Sequence, residues 1–120
     1  MAVDWITRIG NIYSVYNKNQ KHMSRFISTM NKGFQMTFES GWTISVQWGV
    51  GNYCERKSFT VSPLEDQKQI TVESSNAEIA IWDKNGEWYT FDNGDTVLGY
   101  LTADEVAEWI SVAQFGMLVN

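Results

Sequence analysis

Residues 33–49 read GFQMTFESGWTISVQWG, and their spacing sets the register of a β-hairpin. Phe34, Met36 and Phe38 alternate with Gln35, Thr37 and Glu39, and Trp42, Ile44, Val46 and Trp48 alternate with Thr43, Ser45 and Gln47. A period of two is that of a strand with one apolar face. A two-residue loop would pair Glu39 with Trp42 and send the two apolar sets to opposite faces. A three-residue loop, Glu39 to Gly41, pairs Phe38 with Trp42, Met36 with Ile44 and Phe34 with Val46. Its last position requires a left-handed residue, and Gly41 supplies it.

The same logic reads residues 78–91 as a second hairpin around Asp83-Lys84-Asn85-Gly86. A loop ending at Gly86 pairs Ile81 with Tyr89 and Ile79 with Phe91 on one face, and sets Trp82 opposite Trp88 on the other. The Asp83 carboxylate then caps the turn. The competing two-residue Asn-Gly turn would set Trp82 against Tyr89. Between the hairpins, Gly49 and Gly51 interrupt the strand, and RKSFTV (56–61) and KQITVE (68–73) are predicted as short strands joined near Ser62-Pro63. Asp92-Asn93-Gly94-Asp95 is a turn, followed by a predicted strand over 96–101. Thr102 and Glu105 form a capping box for a helix reaching about residue 115, with Val106, Trp109, Ile110 and Ala113 inward and Gly116 as its stop.

Upstream, Val3, Ile6, Ile9, Tyr13 and Tyr16 suggest a helix over 3–18. Met23, Phe26, Ile27 and Met30 suggest a second short helix over 21–31. The expected fold is therefore α+β: an antiparallel β-sheet of about five to six strands, with N-terminal helical segments and a C-terminal helix packed on it. The 120 residues make one domain, 1–120, divided as helical segment 1–32, sheet 33–101 and helix 102–116.

Composition narrows the chemistry. Six Trp, six Phe and five Tyr are more rings than a small interior readily encloses, so some are expected at the surface. A net charge of -5 argues against a duplex nucleic-acid binder, which needs a basic face, while leaving room for a basic protein partner. A lone Cys54 excludes an internal disulfide. No apolar run approaches the roughly 18–20 residues of a membrane span, and no signal-peptide pattern opens the chain, so a cytoplasmic location is expected.

Enzyme and metal readings find no support in the pattern. His22 and Cys54 are one each, where a zinc site needs three or four such ligands. Asp83, Asp92 and Asp95 miss the calcium-loop spacing, and turn chemistry accounts for them. Neither a nucleophile elbow nor a phosphate-binding loop occurs. No cofactor and no catalytic residue is expected. The positive signal is Trp48, Asn52, Tyr53, Arg56 and Lys57 around the glycine-rich bend, together with Trp82 and Trp88. Flat rings stack on nucleobases and an Arg fork holds phosphate, so these seven are candidate ligand contacts. The plainer reading places Trp48 and one of Trp82 or Trp88 in the core, with Arg56 and Lys57 solvated.

Residues 33–49, with Gly51-Asn52-Tyr53-Cys54, Ala77–Asp83 and Gly99–Val106, resemble small phage-type proteins. The resemblance covers most of 33–113. Proteins of this kind often antagonise host defence, and this chain is similar in size and element order to the anti-Thoeris sponge proteins, which sequester cyclic ADP-ribose-type signals between protomers. The resemblance implies a binding protein that sequesters a nucleotide-derived signalling molecule, of cyclic ADP-ribose or cyclic oligonucleotide type, without cleaving it. A protein-binding inhibitor of a host nuclease or CRISPR effector, or a small virion-associated structural protein, is the alternative. The surplus of rings makes homo-oligomerisation an expectation under the first two.

Overall fold

The computed structural model describes residues 24–30, 32–58 and 72–119. These form five strands, β1 (Arg25–Ser28), β2 (Gly33–Thr37), β3 (Thr43–Gln47), β4 (Ala77–Trp82) and β5 (Leu98–Leu101), and one helix, α1 (Ala103–Gln114). The strands lie side by side in chain order, every neighbour antiparallel.

The β2–β3 hairpin has the three-residue loop. Phe34 faces Val46 and Met36 faces Ile44; Phe38 N–H donates to the Trp42 carbonyl, and Gly41 takes φ 98°. Around Gly86 the register is also the longer one. Trp82 bridges Trp88, Tyr89 N–H donates to Ile81 O, and the Asp83 carboxylate accepts from Asn85 and Glu87 N–H. Beyond Trp88 no regular strand continues, because Phe91 N–H turns to Asp95 O and Asp95 N–H to Asn93 Oδ1. The same turn delays β5, which starts at Leu98 rather than at residue 96.

Three expected elements differ in their described residues. Residues 25–28, predicted within a helix, are strand β1, with Phe26 beside Met36 and Ile27 beside Gln35. Four residues fit a period of two as readily as 3.6, and pairing with the β2 edge decides between them. Residues 56–58, predicted as strand, lie in a turn. Lys57 N–H donates to Cys54 O and Gly51 N–H to Lys57 O, so the glycine-rich loop closes on itself. Residues 72 and 73 carry no strand. The predicted helix over 3–18 and the remainder of both predicted strands, 59–61 and 68–71, lie outside the described residues.

One face of the sheet makes the core. Ile44, Val46, Ile79 and Ile81 alternate onto it and are at most 3% exposed, each contributing about 1.5–3 kcal/mol by burial. Helix α1 covers this face through Val106, Trp109, Ile110 and Ala113. At its start Thr102 Oγ1 accepts from Glu105 N–H, and the Glu105 carboxylate accepts from Thr102 N–H. At its end Gly116, at φ 65°, closes a Schellman turn: Met117 N–H reaches Val112 O and Gly116 N–H reaches Ala113 O. Ser40 Oγ donates to Ala113 O, tying the β2–β3 loop to that helix end.

The helix therefore begins beside the Ala77–Leu101 pair and runs back toward Ser40 and Trp42. Its two ends rest on different material. Toward its C-terminal end, Trp109 meets Phe91 edge-on at 5.1 Å and Tyr89 at 6.3 Å, and Trp42 and Phe38 are buried nearby. Toward its N-terminal end the facing residues are Ala103, Val106 and Ala107, and they do not fill the gap.

Candidate functional site

That gap is a cleft of about 680 Å³. Phe34, Val46 and Trp48 wall it from the sheet, and Ala103, Val106, Ala107 and Ile110 wall it from the helix. Leu101 and residues 72–77 complete it. Positions 103, 106, 107 and 110 repeat at helical spacing, so they form one stripe on α1. Two of them are alanine, and small side chains on that stripe leave the space open.

Trp48 stands on the helix side because it continues the alternation of Ile44 and Val46. Its indole N–H donates to Val72 O at 2.9 Å, and Phe34 packs edge-on at 6.1 Å. The ring is thus fixed in orientation while one side borders the cleft. Its backbone N–H donates to the carbonyl of Lys32, a residue that does not line the cleft.

The other six candidate residues are not gathered around Trp48. Asn52 is spent on the loop itself: its Oδ1 accepts from Gly49 N–H and its Nδ2 donates to Glu78 Oε1. Tyr53 donates its backbone N–H to Glu78 Oε2, and its carbonyl accepts from Tyr100 N–H. Glu78 projects from β4 on the side away from α1, opposite Ile79. Lys57 Nζ lies 5.5 Å from the Tyr53 ring centroid, covering part of a face that a base would use. Arg56 is only 9% exposed, so its side chain is largely withdrawn from solvent. Trp82 and Trp88 stack on each other at 5.3 Å with rings 27° apart. Trp82 pairs with Thr43, at the start of β3, whereas Trp48 follows its end. The two indoles are separated by the length of the strand, about 17 Å, and lie on opposite faces. Trp48 and the Trp82–Trp88 pair cannot share one small ligand.

Charge is as uneven as ring placement. Residues 69–120 hold one basic residue, Lys84, and nine acids, a balance of 1 − 9 = -8, which leaves +3 for residues 1–68 out of the total -5. The cleft is built mostly from the acidic part. Glu73 lines it, and exposed Asp104 and Glu108 each follow a lining alanine by one residue, about 100° around the helix. No Lys or Arg lines the cleft among the described residues.

The far wall is held by a carboxylate that sequence spacing did not single out. Glu55 accepts from Ser75 N–H and Ser75 Oγ, both at 2.7 Å, while its own N–H donates to Asn76 Oδ1. These Ser75 bonds, with smaller help from Ser74 and the nearby Arg56 charge, hold the Glu55 carboxyl below the usual glutamate range. A depressed carboxylate stabilises the fold above its unfolded pKa, and that contribution is lost as pH falls through the folded value. Carboxyl-detected NMR should therefore place the Glu55 midpoint below that of free glutamate, with Ser75 amide exchange accelerating only below it. A midpoint at or above the free value would contradict the clamp. Glu55 and Glu78 were missed because their partners stand 20 or more residues away; the Ala103–Ala107 step was the one local hint of open space.

Among the described residues, no group of three or more His, Cys, Asp or Glu side chains is arranged to hold a metal, and no helix is long and apolar enough to cross a membrane. The chain matches no family model, no curated protein and no solved structure.

Proposed function

We propose that this chain is a non-catalytic binding protein whose cleft beside Trp48 seats an apolar part of its partner, and that the partner is a protein rather than a free nucleotide-derived signal. The observation that carries this reading is the cleft's lining: mostly apolar walls, one fixed indole, Glu73, and, among the described residues, no basic side chain. Pockets for drug-sized ligands span about 300–1,000 Å³ and are mostly apolar, which fits. A nucleotide would bring its phosphates to a place where no described residue offers a cation to pair them and Glu73 repels them. The phage-type resemblance supports an antagonist that docks on a host effector protein.

An uncharged solvatochromic dye, Nile red, tests the seat and the ligand class together. It should bind with one-to-one stoichiometry and a blue-shifted emission. Cyclic ADP-ribose isomers and cyclic dinucleotides should leave it in place. Absence of dye binding at folded protein would overturn the seat, and displacement by any of the nucleotides would restore the signal-sponge reading instead.

A further inference from the structure

We infer that the cleft receives a basic amphipathic helix of the partner protein, its apolar face in the cleft and its Lys or Arg residues against an acidic rim. This rests on the cleft being the seat of binding, and adds the chemistry of what enters it. Three observations carry it. First, the apolar stripe on α1 runs from Ala103 to Ile110, a rise of about 10 Å. That length matches apolar anchors at i, i+3 or i+4, and i+7 of a docking helix, the usual mode by which an amphipathic helix fills a groove.

Second, the anchors have a surface to meet. Trp48 offers a fixed ring, and Ala103 and Ala107 let an approaching side chain come close to the α1 backbone. Third, the charge is complementary. Glu73 lies in the cleft wall, Asp104 and Glu108 flank the stripe on α1, and from residue 85 to 120 the chain has six acids and no base. A helix with apolar residues along one face carries its polar residues beside that face, so lysines there meet these carboxylates. A neutral or acidic helix of equal hydrophobicity would bury the same area and forfeit the attraction. Such charges raise association rates and select among partners more than they add raw affinity, and they weaken with salt as the Debye length shrinks.

The experiment uses the full chain with Nile red bound and two designed peptides of about 16 residues. Both carry Leu at i, i+3, i+4 and i+7; one bears Lys at the flanking positions and its twin bears Glu. The Lys peptide is expected to displace the dye, binding at least about tenfold more tightly than the Glu twin, with the preference shrinking as salt rises. The double variant Asp104→Lys, Glu108→Lys should reverse or abolish the preference while its circular dichroism stays unchanged. Equal displacement by both peptides overturns the inference and leaves the seat intact. So does failure of the Lys peptide to displace a dye that is bound, including Lys-peptide binding that leaves the dye in place, which would put it elsewhere on the acidic surface. A dye that never binds overturns the underlying functional reading instead.

Discussion

Replacing Phe91 by alanine is expected to lower folding stability by about 3–5 kcal/mol. The ring is 3% exposed and joins elements that are otherwise far apart in sequence. It meets Tyr89 and Trp109 edge-on, each at 5.1 Å, so it couples the segment after the second hairpin to helix α1. Edge-on aromatic contacts of this kind add about 0.5–1.5 kcal/mol beyond the area they bury. The surrounding residues offer little means of closing the void, since Trp42 and Phe38 are already buried and the Asp95 bond to Phe91 N–H holds the backbone in place. A domain with a total stability of about 5–15 kcal/mol would lose a large share of it. Urea unfolding followed by tryptophan fluorescence measures the change. A loss below about 1.5 kcal/mol would mean that Phe91 does not join the aromatic end of the core to helix α1.

Ala107→Phe should act on binding and spare the fold. Ala107 is exposed and belongs to the stripe of α1 that borders the cleft. A phenyl ring there occupies the space a ligand would use. Its cost to an exposed helix position is a few tenths of a kcal/mol, roughly the propensity difference from alanine. Nile red affinity is expected to fall by about a hundredfold or more, a change of about 2.8 kcal/mol, while the unfolding midpoint moves little. Undiminished dye binding in a folded Ala107→Phe protein would place the seat elsewhere.

These two effects divide the molecule in a way that the sequence conveys only in part. The hairpin registers were legible because each rests on a local steric rule. Gly41 and Gly86 sit where a three-residue loop needs φ above zero, and they take φ 98° and 82°. The helix ends were legible for the same reason, through Thr102, Glu105 and Gly116. Strand β1 was not, since RFIS has no periodicity of its own and becomes a strand by pairing with β2. The candidate site fared similarly. Trp48 was recognised as a ring beside a bend, and it does border an open cleft. The basic partners expected beside it were not local facts. Arg56 is withdrawn from solvent, and Asn52 and Tyr53 are held by Glu78, which only the fold of β4 brings near. The excess of rings inferred from composition is visible in Trp88, 48% exposed, and Tyr100, 55% exposed, but those rings lie apart from the cleft.

The chain's six tryptophans make one observation decisive. Each indole N–H gives a separate resonance in a ¹⁵N-labelled protein, so titration with the Lys-bearing amphipathic peptide reports which ring is at the contact. The Trp48 resonance should shift to saturation while those of Trp82 and Trp88 stay fixed, because they stand at the other end and on the other face of the sheet. Saturating shifts at Trp82 and Trp88 with Trp48 unmoved would contradict the cleft as the place where this protein binds.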